Sequence, residues 1–201
     1  LATEEFPHFD VGQRSAASIA RRLQDPLAEL VKIDPKAIGV GQYQHDLKAA
    51  ELDAALGGVV EDCVNSVGVD VNTASVSLLS YVAGINTTVA KNIVAYREEN
   101  GAFTTRAQLK KVPRLGPKAF EQCAGFLRIP GGKDLMENTG VHPESYDAAR
   151  ALLKHFSLTP AEAVGKLLTL ADAEGFAALA KQLNVGEPTL RDIAAELSRP
   201  G

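Results

Sequence analysis

The chain has no tryptophan, a single methionine and few aromatic residues of any kind. Cores built mainly from strands draw on aromatic and β-branched side chains, so this scarcity argues against a sheet-rich fold. No run of about 18 apolar residues exists, which excludes a membrane-spanning helix. Leu1 to Asp10 lack a basic stretch followed by an apolar one, so they are not a signal peptide. There is no initiator methionine, and the opening Leu1-Ala2-Thr3-Glu4-Glu5 reads as cut from the middle of a longer chain.

Cysteine is also scarce. Cys63 and Cys123 are far apart in sequence, whereas a zinc site needs ligands clustered at short spacing. They read as two free thiols of a reducing compartment. His8, His45, His142 and His155 are scattered, and none shares ligand spacing with a cysteine or carboxylate. They read as surface or helix-end residues, and no metal or cofactor is expected. Gly39-Val40-Gly41 lacks the third glycine and the strand–helix setting of a dinucleotide site, and no small-molecule substrate is implied.

What is abundant is alanine and leucine, the best helix formers, within an ordinary globular composition of 45% hydrophobic and 23% charged residues. The expected fold class is therefore all-α and multi-helical. A formal net charge of −4 argues on its face against a polyanionic partner, but the distribution is uneven. Residues 1–70 carry net −6 and residues 129–201 net −3. Between them, residues 82–128 hold eight basic side chains (Lys91, Arg97, Arg106, Lys110, Lys111, Arg114, Lys118 and Arg128) against three acidic ones (Glu98, Glu99 and Glu121). A basic island between acidic flanks is a local electrostatic footprint.

Along the chain, Ser15 to Leu23 has helical period, with Ile19 and Leu23 on one face. Asp25-Pro26 and Asp34-Pro35 read as N-caps followed by a first-turn proline. Ile38 to Tyr43 reads as a loop or short extended piece. A long helix is expected from Asp46 to Val67, stopped by Gly68. The next helix, residues 73–82, takes Thr73 as its N-cap. After the turn Ala83-Gly84-Ile85-Asn86 a helix over 88–99 ends at Gly101. Thr104 or Thr105 caps a short helix through Lys111. The turn Pro113-Arg114-Leu115-Gly116 leads into an exit helix, Pro117 to Phe126. Gly131-Gly132 suggests a linker. Beyond it the expected helices are Pro143 to Phe156, Thr159 (a capping box with Glu162) through Leu170, Ala173 to Leu183, and Thr189 (a second box with Asp192) to Leu197. This tail shows no chemistry of its own.

The central stretch repeats one unit: helix, tight glycine-bearing hairpin, helix. A backbone amide grips a phosphate only where the chain approaches closely, which glycine permits together with positive φ. A helix starting just beyond the hairpin adds free N–H groups and the positive end of its dipole. An apolar plug aims the hairpin, and a basic residue in the first turn adds charge. In the second hairpin Leu115 is the plug, Gly116 the second glycine, Pro117 the helix start and Lys118 the first-turn cation. Arg114 stands where glycine is common and has the reach for a phosphate, and Lys110 and Lys111 flank the turn. In the first hairpin Gly84 and Ile85 supply glycine and plug. Asn86 replaces the second glycine as a residue tolerant of the left-handed region, Thr87 and Thr88 add hydroxyls, and Lys91 lies one turn on. The firmest reading is that residues 82–128 form a tandem helix-hairpin-helix module that grips a nucleic-acid backbone, DNA or RNA, without reading sequence.

The runs Gly84-Ile85-Asn86, Ala95-Tyr96-Arg97-Glu98-Glu99-Asn100-Gly101-Ala102-Phe103 and Val112-Pro113-Arg114-Leu115-Gly116-Pro117-Lys118 resemble the tandem helix-hairpin-helix domain of bacterial DNA-uptake receptors. The flanks Ser18 to Pro35, Ile38 to Asp46 and Val60-Glu61-Asp62-Cys63-Val64-Asn65 are similar to the Tex family of bacterial transcription accessory proteins. That resemblance implies a large cytoplasmic protein ending in an OB-fold RNA-binding domain of S1 type. It implies that residues 1–45 are the end of an RNase H-like (YqgF) domain, 46–67 a connecting helix, 68–130 the tandem hairpins and 140–201 a helical domain.

Two other functions bear on the same residues. In one, the hairpins are a scaffold that docks a transcription partner or another domain of the parent protein. In the other, the N-terminal segment is part of a nuclease with Asp25, Asp34 and Asp46 as metal-binding carboxylates. Asp25 and Asp34 read better as helix caps, and no enzyme activity is expected of the chain.

Overall fold

The computed structural model describes residues 2–39 and 41–199. Leu1, Val40, Pro200 and Gly201 lie outside the described residues, and Val40 takes the middle of the Ile38–Tyr43 loop with it. The described chain is predominantly helical, as expected.

The N-terminal segment holds α1 (Ala2–Glu5), α2 (Val11–Gln24) and α3 (Pro26–Leu30). The Asp25 and Asp34 caps form: Asp25 accepts from the Ala28 amide and Asp34 from the Lys36 amide, at the head of a 3-10 turn Pro35–Ile38. The buried Glu29 carboxylate is held by Lys32, Ser18 and Arg21. Ile19 and Leu23 do lie on one helix, but they remain exposed (67% and 90%).

Helix α4 spans Ala49–Val67, three residues shorter at its start than the expected Asp46–Val67, because Gln44–Asp46 closes a 3-10 turn first. Gly68, at φ +83°, ends it. The chain then enters β1 (Val69–Asp70), which pairs in parallel with β2 (Leu127–Arg128), Val69 opposite Leu127. This short ladder was not expected from an all-helical pattern. It ties the entry of the hairpin module to its exit.

Thr73 is not a helix cap. Asp70 folds residues 70–74 into a turn, accepting the Asn72 amide on its side chain and the Thr73 and Ala74 amides on its carbonyl. Ser75 caps instead, accepting from the Leu78 amide, and α5 is only Val76–Leu79. Helix α6 runs Thr87–Asn100 and stops at Gly101. The short Arg106–Lys111 helix is 3-10 and follows Thr105, as expected; Gln108 reaches back to the Thr104 and Thr105 amides. Helix α7 is Pro117–Cys123, ending before the expected Phe126 because the chain turns into β2.

In the tail, Pro143–Ser145 is a 3-10 turn ahead of α8 (Tyr146–His155). The Thr159 capping box with Glu162 forms, but its helix α9 is only Pro160–Ala163. Gly165, at φ +71°, breaks the expected run to Leu170 and turns its amide to the Ser198 carbonyl. Helix α10 follows at Leu167–Glu174. Gly175, at φ +97°, splits the expected 173–183 helix, so α11 is Phe176–Leu183. Helix α12 is Glu187–Ser198 and takes Gly186 as its N-cap. The predicted Thr189 box is corrected: Pro188 already stands in the first turn, and the helix starts before Thr189.

Two apolar cores result. One joins Val31 and Val64 to the hairpin module through Ile129, and the other runs from Met136 to Leu197. Leu79, Leu109, Leu152 and Leu179 are fully enclosed, each such side chain contributing about 1.5–3 kcal/mol of burial. Arg106, itself fully buried, bridges the two cores. Its guanidinium donates to the carbonyls of Glu137, Thr139 and Val141, and its amide to the Glu137 carboxylate. The Gly131-Gly132 stretch is thus spanned by a buried clamp.

Candidate nucleic-acid interface

The two hairpins correspond residue for residue at an offset of 30. In each, the Val82 and Val112 amides bond to the carbonyls of Leu79 and Leu109, and the Ile85 and Leu115 amides to those of Val82 and Val112. Gly84 (φ +79°) corresponds to Arg114 (φ +66°). The plugs Ile85 and Leu115 are both 5% exposed. Asn86 and Gly116 then correspond as N-caps, with the Ala90 and Phe120 amides bonded to their carbonyls.

This register corrects the role given to the second turn position. Asn86 (φ −89°) and Gly116 (φ −74°) are both extended, not left-handed. Asn86 serves as a side-chain cap, accepting from the Val89 amide at 2.9 Å. The left-handed residue is the one before the plug, so Arg114 carries the strain that glycine relieves in the first hairpin.

Gly84 has a second reason to be glycine. A Cβ there would lie 2.7 Å from the Gln122 Cβ and 3.1 Å from the Ala119 carbonyl oxygen. The first hairpin therefore rests on the exit helix of the second. Reciprocally, Asn92 on the first exit helix donates to the Pro113 carbonyl of the second hairpin at 2.7 Å. Asn92 and Gln122 are equivalent in the repeat, so each exit helix meets the other unit's hairpin through the same position. Asn65 of α4 braces the first hairpin from behind, donating to the Tyr81 carbonyl and accepting from the Ala83 amide. Sequence reasoning missed Asn65, Asn92 and Gln122 as supports, since none bears on chemistry until the two units pack.

The tips face solvent. Gly84, Asn86, Thr87, Thr88, Lys91, Lys110, Lys111, Arg114, Gly116, Pro117 and Lys118 are exposed, while Ile85 and Leu115 are the buried plugs. Among the described residues, the amides of Thr87, Thr88, Gly116, Lys118 and Ala119 have no protein acceptor. The eight cations of the island divide into two sets. Arg97 donates to the Val71 carbonyl, Arg106 forms the clamp, and Arg128 donates to the Gly125 carbonyl. Burial, with Arg106 nearby, pushes the Arg128 pKa down to about 10. These three are structural. Of the rest, Lys110 lies over the Phe120 ring at 4.6 Å, and Lys91, Lys111, Arg114 and Lys118 form no ion pair among the described residues. Elsewhere most arginines are paired: Arg21, Arg150, Arg191 and Arg199 all meet carboxylates.

The tail contains a second pair of hairpins, which the sequence reading passed over. Ser157-Leu158-Thr159-Pro160 and Asn184-Val185-Gly186-Glu187 repeat the order of left-handed residue, plug, N-cap and helix start, 27 residues apart. Ser157 and Asn184 both have φ +55°. The Leu158 and Val185 amides bond five residues back, to the Leu153 and Ala180 carbonyls, and the Ala163 and Leu190 amides bond to Thr159 and Gly186. No glycine marks the left-handed position here, which removed the signal used for the first pair.

A family model described as a helix-hairpin-helix motif matches residues 64–128, and one described as an HHH domain matches residues 134–201. The transcriptional accessory protein Tex of Neisseria gonorrhoeae is 56% identical over 201 residues, covering 100% of this chain and 26% of the relative. Protein YhgF of Escherichia coli is 55% identical with the same coverage. The human S1 RNA-binding domain-containing protein 1 is 40% identical over 99% of this chain and 25% of its own length. The chain thus spans about a quarter of the length of these relatives.

Proposed function

Since the chain belongs, as a segment, to the Tex family of transcription accessory proteins, we propose that its first hairpin pair grips a nucleic-acid backbone, DNA or RNA, without reading sequence. The observation that carries this is the coincidence, at two equivalent tips, of unpartnered amides with unpaired cations. At the first tip these are the Thr87 and Thr88 amides with Lys91. At the second they are the Gly116, Lys118 and Ala119 amides with Arg114 and Lys118, and Lys110 and Lys111 border it. Such groups bond phosphate oxygens, which every sequence shares. The grip is non-catalytic in this reading and acts within a cytoplasmic protein that works with the transcription machinery.

The test is fluorescence anisotropy of labelled single- and double-stranded DNA and RNA across a salt series. With three to five phosphates neutralised, the log-log slope is expected at about −3 to −4. Arg114→Glu with Lys118→Glu should abolish binding without changing the helical circular dichroism. Binding that survives this change sinks the reading.

A second reading is favoured by one separate observation. Val11, Ile19, Leu23, Ile38 and Tyr43 are more than half exposed, and such a density of uncovered apolar side chains suits a docking face. In that reading the segment is a scaffold for a protein partner or another domain of the parent protein.

A further inference from the structure

The two hairpin pairs share a turn but differ in what the turn presents. At the Thr159 tip, the Glu162 carboxylate accepts from the Thr159 amide (2.9 Å) and hydroxyl (2.7 Å), and the Glu162 amide returns to that hydroxyl. The Ser157 and Leu158 amides are spent on the preceding helix. The Thr159 amide and hydroxyl are thus held by a carboxylate of the chain itself, and Pro160, next in the chain, has no amide. At the Gly186 tip, the first helical residue is Glu187, paired with Arg191 at 3.0 Å, and Pro188 has no amide to offer. The equivalent positions of the first pair are Thr87-Thr88 and Pro117-Lys118, with Val89 and Ala119 where the third hairpin has Glu162. A phosphate approaching either tail tip meets a carboxylate at close range, and at the Thr159 tip the amide and hydroxyl of the cap are already taken.

We infer that the tail hairpins are excluded from the nucleic-acid interface, which ends with the first pair although both pairs share one hairpin architecture. The inference rests on the proposed grip of the first pair. Nucleic acid would then touch one half of the molecule, and the tail would hold its hairpins for packing: Leu158 and Val185 plug the second core.

The experiment is lysine acetylation of the 201-residue chain, read by mass spectrometry, with and without a mixed-sequence duplex and its single strand. Lys91, Lys110, Lys111 and Lys118 should be protected, and Lys154, Lys166 and Lys181 should stay reactive. In parallel, Lys154→Glu with Lys166→Glu should weaken binding less than about threefold, while Arg114→Glu with Lys118→Glu weakens it at least about thirtyfold. Protection of the tail lysines together with the first pair, or a matching loss from the tail variant, overturns the inference and leaves the grip standing. Absence of protection in both pairs overturns the grip as well.

Discussion

The pair of hairpins at 84–87 and 114–117 and the pair at 157–160 and 184–187 start from the same geometry and end with opposite surfaces. In both, one residue takes a positive φ, an apolar plug follows, and a cap opens the next helix. The first pair sets free amides beside unpaired cations, whereas the tail pair carries carboxylates at its tips, Glu162 on the Thr159 cap and Glu187 paired with Arg191. A hairpin is therefore a way to reverse a chain between helices, and in the proposed reading phosphate affinity is a separate property set by a few surface positions. The closing bonds differ too. The first pair tightens through three-residue bonds, and the tail pair ends full α-turns with bonds five residues back, the arrangement of a Schellman cap.

The largest expected effect tests whether the two pairs are one folding unit. Arg106→Ala removes the clamp and leaves Glu137 buried, with the Arg106 amide and Tyr146 hydroxyl as its remaining partners. Breaking such a buried ion pair should cost about 3–5 kcal/mol, read as a lower urea midpoint. The unfolding curve should also split into two steps, one per core. A single cooperative loss of under ~1 kcal/mol would show that the clamp is dispensable.

Next in size is the contrast between plugs. Leu115→Ala empties a nearly enclosed site and should cost about 2–5 kcal/mol. Leu158→Ala, at a half-buried plug, should fall clearly below it. Equal losses would mean that the tail hairpins depend on their plugs as the first pair does. The smallest change has the most specific sign. Arg114 is a non-glycine at φ +66°, so Arg114→Gly should raise stability by up to ~1 kcal/mol by relieving the left-handed strain, while weakening nucleic-acid binding severalfold. A melting temperature that falls instead would mean that the arginine side chain supports the fold. An unchanged affinity would remove Arg114 from the interface.

Much of the first module was legible because its signals are local. Gly68 and Gly101 stop helices, Asp25 and Asp34 cap them, and the plugs fall where apolar residues interrupt polar turns. The misreadings share one cause. Thr73, Thr189 and the unbroken runs through Gly165 and Gly175 followed local propensity, and each was overridden by a cap at another residue or by a glycine taking a positive φ. The tail hairpins escaped notice because serine and asparagine hold their left-handed positions.

The sequence by itself determined the helical class, the pairing of two hairpins in a basic island, and which residues plug them, because periodicity, caps and turn chemistry act over a few residues. Only the tertiary structure decided which charges are available. Arg97, Arg106 and Arg128 look like Lys111 and Lys118 in a sequence, yet three are spent on carbonyls inside the fold and two stand free at its surface. A guanidinium reaches far beyond its own turn, so its partner is chosen by what packs beside it, and that is settled only when distant segments meet.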